Sequence, residues 1–498
     1  MADAAPSVRK VTVGLPPIPL VGALTLLLVV RLVVAGLAGL TDDEAYYRLW
    51  SLKLQAGYYD HAPMVAWVIR AGREIFGDTA FGLRVFSPLA TFVGSLLLWR
   101  TVALFDGRDT ATRAVVLFNA TILIGAGSVL MTPDTPSVFF WGATVWALAE
   151  LSASRNPNWW LAVGVAAGLG LFSKYSVLFL GLGIVLWLVS TRETRRWFAA
   201  WQLWVGGALA LALFAPVVLW NAEHGWISFA KQFGRTVPHG MRPEKFLEFL
   251  GVQWLLIGLP LAPFVVWGAL RTARSWRAGE AGAALPLVTS LPFLAYLVFH
   301  SFHGGIEGNW PAPLYAGFAW MAARVLPAVA ELGGRTGRLA ASAARIAAPL
   351  GFGLTALVYV HAVVALVVLP PERDPTAQMR GWDAFAADIE ALRRESGAAW
   401  IAVPSYTLAG RFMRRLGTDY VDQLADPERY AHLPPPDPAM LEKPALFVTR
   451  ARKSELARFA GRFDEVRSLG TRERTLRGRV VDTYTVHLLT GPHGDPRR

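Results

Sequence analysis

Long apolar runs separated by short polar segments occupy the first three quarters of the chain. At about 20 apolar residues per membrane crossing, candidate spans fall near 15–40, 81–104, 114–131, 133–151, 159–173, 175–190, 201–220, 247–270, 283–302, 311–331 and 345–369, about eleven in all. The first run follows Arg9 and Lys10 and exceeds the roughly 7–15 residues of a signal-peptide core, so it reads as a retained span. The stretch 159–189 is long for one span and short for two. Two short spans turning at Ser173, Lys174 and Tyr175 put GRDTATR, SRNPN, STRETRRW, RTARSWRAGE and GGRTGR on the same side as the N-terminus. Under the positive-inside rule that side is the cytoplasm. The remaining connections, with their mixed polar motifs, then share the outer side: 41–80, MTPDTP, SKY, the segment from Trp220 and the segment from His300.

Past Leu369 the pattern changes. Pro370 and Pro371 end the last span, and a polar segment follows with helix patterns over 382–395, 405–416 and 453–462. Strand patterns lie over 400–403, 445–449 and 480–488. The expectation is a polytopic α-helical membrane domain, 1–369, followed by a small α/β domain, 370–498, on the outer side. The arginines of RSLGTRERTLRGR read as a solvated face of that domain.

Composition narrows the class. With 498 residues, 54% hydrophobic and 17% charged, the chain is too apolar for an ordinary soluble protein. Its net charge of +12 comes mostly from arginine in short loops, which points to anionic lipid as a partner and away from nucleic acid. Without cysteine, disulfides, thiolate catalysis and cysteine-ligated metals are excluded. Charges spread through several spans and two similar halves, the marks of a transporter, are not evident.

The outer segments hold the candidate chemistry. In TDDEAYY, Thr41 and Glu44 stand in capping-box spacing, which alone accounts for an acid at the start of a helix. Asp43, Glu44 and Asp134 are also placed to act as general bases at the membrane surface, although Asp134 in TPDTP equally suits a helix start. Glu44 is assigned to both capping and chemistry, Asp42 to neither. Lys174, at the tip of a hairpin between apolar segments, needs an anion such as a phosphate, or a route for its ammonium to water. Arg31 lies inside the first span, about 15 Å from its outer end, and needs a buried polar partner or a lipid phosphate. Of the outer histidines His61, His224, His239, His300 and His303, the last two with Glu307 approach metal-ligand spacing, but Gly304 and Gly305 interrupt the helix that would align them. No metal site is assigned. Tyr46, Tyr47, Trp50, Tyr58, Tyr59, Trp220, Trp226 and Trp310 form either a sugar-stacking wall or an interfacial belt.

Six motifs occur in order on that side: DEAYY (43–47), GYYDHAPM (57–64), TPDTP (132–136), SKYS (173–176), WNAEHGWISFAKQFG (220–234) and EGNWPAP (307–313). Together, over about residues 30–320, they resemble the bacterial glycosyltransferase family related to protein O-mannosyltransferases, whose relatives include lipid A aminoarabinose transferases and lipopolysaccharide galacturonosyltransferases. The resemblance implies a GT-C fold, an active site facing the periplasm and a polyprenyl-phosphate sugar as donor. It implies Asp43 as the central catalytic carboxylate, with Glu44 beside it and Asp134 as a second acid. Donor phosphate is assigned to His61, Lys174, Tyr175 and Arg31, and substrate binding to Tyr47, Asp60, His224, His303, Glu307, Asn309 and Trp310. Where aminoarabinose transferases carry a Glu-Lys-Pro-Pro run, this chain has Asp60, His61, Ala62 and Pro63. That departure argues against aminoarabinose and against a family zinc site, so no cofactor is expected to be required, a divalent metal being the alternative.

The expected activity is transfer of one sugar, galacturonic acid as the first choice, to lipid A or lipopolysaccharide core in the bacterial inner membrane, by a monomer. The alternatives are a mannose-type transferase acting on protein or another lipid, and a lipid-linked sugar flippase.

Overall fold

The computed structural model describes residues 13–234, 240–369 and 371–497; Arg9, Lys10, His239 and Pro370 lie outside them. Among the described residues, five helices are long and apolar enough to cross a membrane, Ile18–Leu37, Ala80–Ala120, Trp201–Glu223, Ala281–Ser301 and Gly334–Val364. The number is up to seven if each of two sharply bent pairs, Tyr175–Ser190 with Arg192–Ala199 and Pro243–Ile257 with Ala262–Arg277, is one span. Leucines such as Leu26 and Leu211 stand exposed on these helices, as a lipid-facing surface requires.

Several apolar runs fold into shorter pieces than their hydropathy suggests. The Ala80–Ala120 stretch is interrupted at Gly107, whose φ of 79° turns the chain within the GRDTATR segment. The run 114–131 is not one helix: it bends at Thr121 (φ −64°, ψ 137°) into a six-residue helix, Ile122–Gly127. The run 311–331 is helical only from Tyr315 to Val325, with 3-10 turns on either side. The 159–190 stretch breaks at Lys174 as expected, into Trp159–Ser173 followed by Tyr175–Val177 and Leu178–Ser190.

The chain divides into two compact units. One takes residues up to Ala35, Asp60–Val65 and Arg84–Val358; the other takes Gly36–Tyr59, Ala66–Leu83 and the chain from Tyr359 onward. In the first unit the Trp159–Ser173 and Trp201–Glu223 helices meet through small residues. A Cβ on Gly164 would lie 2.1 Å from the Gly206 carbonyl oxygen, and one on Gly206 would lie 2.3 Å from that of Trp160. Backbones this close are the usual means of helix association where lipid removes any hydrophobic gain.

The second unit contains a five-stranded sheet, β1 (Trp400–Val403), β2 (Val421–Gln423), β3 (Ala445–Arg450), β4 (Phe463–Leu476) and β5 (Arg479–Pro492), in the order β2-β1-β3-β5-β4. β1 runs parallel to β2 and β3, and β5 pairs antiparallel with β3 and β4. Two features depart from the sequence reading. The 453–462 helix is broken into a four-residue helix, Leu456–Phe459, flanked by 3-10 turns. RSLGTRERTLRGR belongs to β4 and its turn, with Arg477 (φ 51°) and Gly478 (φ 74°) supplying the two positive-φ residues of a tight hairpin. Its arginines are not all solvated: Arg474 is 1% exposed, with its guanidinium 4.5 Å from the Trp382 ring centre.

The Asp42–Trp50 helix is part of this second unit, packed on the Tyr406–Leu416 helix. Gly410 permits the approach, since a Cβ there would lie 3.1 Å from Tyr46 N and 3.3 Å from Ala45 C.

Candidate active site

In the second unit, the three acids of TDDE start one short helix, and successive helical residues point about 100° apart. Each acid therefore meets different surroundings. Glu44 is fully buried and closes the expected capping box: Thr41 N donates to Glu44 Oε2 (2.9 Å) and Glu44 N donates to Thr41 Oγ1 (3.2 Å). Asp42, assigned no role from sequence, is the tether. It accepts from Nε of the buried Arg411 (2.7 Å) and from Nη2 of Arg450 (3.2 Å). Asp43 is half-buried, and its Oδ1 accepts the Tyr406 hydroxyl (3.0 Å).

The aromatic residues that follow are an interior cluster rather than a sugar-stacking wall. Tyr46, Tyr47, Trp50 and Tyr58 are all buried, with Trp50 stacked on Tyr58 (4.4 Å between ring centres) and Tyr47 tilted against Trp50 (4.8 Å). Tyr59 is half-buried, and the Arg429 guanidinium lies 4.7 Å from its ring centre.

In the first unit, Lys174 sits at the break between the Trp159–Ser173 helix and the Tyr175–Val177 turn, in extended backbone (φ −159°). Its anion is Asp134: Nζ lies 2.5 Å from Asp134 Oδ1. Asn309, from EGNWPAP, donates to Asp134 Oδ2 (2.6 Å). Three of the six motifs thus converge on one carboxylate. Pro133 occupies the cap position of the Asp134–Ser154 helix, and both Asp134 oxygens serve side chains from elsewhere in the chain.

Other assigned residues lie apart from this group or inside the packing. Tyr175 is buried, its hydroxyl 2.9 Å from Ser228 Oγ and its ring edge-on to Phe229, so it is a packing residue rather than a phosphate ligand. Arg31 is buried and donates to Asn119 Oδ1 (2.8 Å), whose amide in turn donates to Ser95 Oγ (2.9 Å). The polar partner that Arg31 needs inside an apolar helix is therefore a side-chain amide. Asp60 is buried, and its carbonyl accepts from Gln232 Nε2, which also lies 3.4 Å from His61 Nδ1. His224 is exposed and stacks on Trp220 (4.1 Å), and His303 Nδ1 lies 2.9 Å from the Phe299 carbonyl oxygen. Glu307 is exposed. Trp310 stacks over the buried His300 (5.6 Å). Among the described residues no three His, Asp or Glu side chains are grouped as metal ligands would be.

Tyr406, Arg411, Arg450 and Gln232 were not legible as site residues. Gln232 lies in a motif but carries no chemistry of its own, and the other three lie in the α/β segment, more than 360 positions from the acids they bind.

Comparisons with known proteins agree with these motifs. Residues 60–220 match the family described as dolichyl-phosphate-mannose-protein mannosyltransferase. The lipid A galacturonosyltransferase RgtD of Rhizobium johnstonii is 26% identical over 276 residues, covering 55% of this chain and 58% of the relative. The undecaprenyl phosphate-alpha-4-amino-4-deoxy-L-arabinose arabinosyl transferase of Edwardsiella ictaluri is 26% identical over 298 residues, covering 56% of this chain and 51% of the relative. The chain thus spans a little over half the length of the curated relatives it matches. Among solved structures, ArnT from Cupriavidus metallidurans bound to undecaprenyl phosphate superposes with a TM-score of 0.64 at 16% identity, covering 94% of this chain and 97% of ArnT. That likeness shows the fold, a GT-C membrane architecture.

Proposed function

We propose, from its similarity to polyprenyl-phosphate-sugar glycosyltransferases related to protein O-mannosyltransferases, that this chain transfers a sugar from a polyprenyl phosphate to lipid A or lipopolysaccharide core. The sugar proposed is galacturonic acid, and the reaction is placed on the periplasmic face of the inner membrane. The observation that carries the reading is the likeness to two transferases, one named for lipid A and galacturonosyl transfer and the other for an undecaprenyl-phosphate-linked sugar, beside a family match over residues 60–220, which hold TPDTP and SKYS. RgtD supports the uronic acid, and the Asp60-His61-Ala62-Pro63 run, in place of Glu-Lys-Pro-Pro, disfavours aminoarabinose.

The chemistry asked of the protein is modest. The acceptor hydroxyl oxygen attacks the anomeric carbon as the bond to the phosphate oxygen breaks, inverting the centre. The phosphate leaves with the bonding pair, and the hydroxyl proton passes to a carboxylate. Asp43 is the proposed base, a group of suitable type for proton abstraction from an alcohol. Lys174 is the proposed cation for the leaving phosphate, whose developing charge needs electrostatic stabilisation more than a proton. No metal is invoked. A second reading, mannose transfer to protein or another lipid, is favoured by the match of residues 60–220 to the mannosyltransferase family.

The test is transfer by the purified full chain in detergent, from undecaprenyl-phosphate-linked galacturonic acid to lipid A, read by mass spectrometry. Product formation without a sealed membrane supports an enzyme over a flippase, and Asp43→Asn should lower the rate about a hundredfold or more. A mannosylated product from the mannose donor alone would move the assignment to the second reading.

A further inference from the structure

The α/β segment contributes a hydrogen-bond donor to the acid on which the proposed chemistry depends. The Tyr406 hydroxyl donates to Asp43 Oδ1 at 3.0 Å, and its ring packs against Tyr46 (5.0 Å), about one helical turn past Asp43. The guanidinium of the buried Arg429 lies 4.7 Å from the ring centre of the half-buried Tyr406, while the Tyr430 hydroxyl donates to the Tyr406 carbonyl (3.2 Å). A cation over the face of a phenol draws electron density from the ring and makes the hydroxyl a stronger donor. Every part of this arrangement lies in the second unit, and Gly410 brings the two helices close enough for it.

We propose that Tyr406 is a positioning residue for the Asp43 carboxylate, with Arg429 strengthening its hydrogen bond. The inference rests on the reading of Asp43 as the base. A hydrogen bond to the ionised carboxylate favours that form, so Tyr406 keeps Asp43 ready to accept a proton and fixes which oxygen faces away from it. The phenol holds Oδ1 of that carboxylate. The other charged groups around this arrangement are already engaged: Glu44 caps its helix, Asp42 holds Arg411 and Arg450, and Asp426 lies 3.4 Å from Arg429 Nε.

The test uses the full chain in detergent with three substitutions at two positions: Tyr406→Phe, Asp43→Asn, and 2,3-difluorotyrosine introduced at position 406. Phenylalanine keeps the ring contacts with Tyr46 and Arg429 and removes only the donor. The substrate-free readout is the pH midpoint at which a water-soluble carbodiimide labels Asp43, followed by peptide mass spectrometry. Tyr406→Phe should move that midpoint up, and the more acidic fluorinated phenol should move it down, a pair of opposite shifts that a purely structural role does not produce. In transfer from undecaprenyl-phosphate-linked galacturonic acid to lipid A, Tyr406→Phe should lower kcat about tenfold, the effect of losing one hydrogen bond to a charged group, with KM for the donor unchanged. Unmoved labelling midpoints, or a loss of activity with no shift in either direction, overturn the proposal. If Asp43→Asn retains wild-type transfer, the base assignment fails and this inference with it. An inactive Asp43→Asn beside a Tyr406→Phe that matches wild type in rate and midpoint overturns the positioning role alone.

Discussion

Lys174 and Asp134, 40 residues apart in sequence, form a contact of 2.5 Å between Nζ and Oδ1, with both side chains 13% exposed. Each removes the need for the other to find a counter-charge in an apolar setting. The pair also determines what a phosphate would meet, because Lys174 can engage a second anion only in competition with Asp134. Lys174→Met should therefore destabilise the protein by about 3 kcal/mol, leaving a carboxylate without its cation. The double variant Asp134→Asn/Lys174→Met should recover most of that loss. Asp134→Asn alone should tighten binding of undecaprenyl phosphate while Lys174→Met weakens it. Unfolding midpoints and a binding titration in detergent check the set, and additive single effects in the cycle would refute the coupling.

Asp42 carries more of the fold than its neighbour Glu44. Removing it leaves the buried Arg411 without its carboxylate and Arg450 without one of two, Asp482 being 3.7 Å away. Asp42→Ala should cost about 3–5 kcal/mol, as broken buried ion pairs do. Glu44→Gln keeps a capping-box side chain and should cost little, whereas Glu44→Ala should cost about 1 kcal/mol. Thermal unfolding of the three variants ranks them, and a Glu44→Ala loss larger than that of Asp42→Ala would reverse the assignment.

Gly410→Ala tests the helix crossing that brings Tyr406 to Asp43. The added carbon would meet the backbone of Ala45 and Tyr46, which cannot rotate aside as a side chain could. A loss of about 1–3 kcal/mol is expected. Gly461→Ala in the same unit, where a Cβ would meet nothing within 4 Å, should stay within about 0.5 kcal/mol of wild type.

The pH dependence of the second unit should follow His432. Burial pushes its pKa down from 6.5 to about 4, against backbone contacts with Leu49 and Arg429 that work the other way. Folded His432 stays neutral while the unfolded chain takes up a proton, so stability is full above pH 6.5 and falls as pH drops toward 4. The loss approaches about 3 kcal/mol. Asp78 behaves differently: burial raises its pKa, but hydrogen bonds from Arg48 and Arg73 outweigh it and bring the value to about 2. Its contribution is lost only below pH 3.8, as pH falls toward 2. Unfolding midpoints between pH 4 and 7 should therefore slope in wild type and flatten in His432→Phe, which preserves the edge contact with Tyr58. A slope unchanged by the substitution would assign the titration to another group.

The features that the sequence determined by itself are those set by neighbours along the chain. The Thr41–Glu44 capping box, the Trp382–Glu395 helix and the strands at 400–403 and 445–449 all follow from local periodicity or fixed spacing. Short motifs in order likewise sufficed for the resemblance to the mannosyltransferase-related family whose model matches residues 60–220, because they keep residue types whatever their surroundings. Tertiary structure decided the partners. Asp43 meets Tyr406 across 363 positions, Asp42 meets Arg411 across 369, and Asp134 meets Asn309 across 175. No local pattern encodes such pairings, since an acid at a helix start looks the same whether it caps, tethers or awaits a proton. β2 and β4 were missed for a related reason: β2 has three residues, too few to show alternation, and the polar β4 is held as a strand by its register with β5. Glu44 was set apart by its spacing from Thr41, but the tethering role of Asp42 and the phenol partner of Asp43 emerged only once the fold supplied Arg411 and Tyr406.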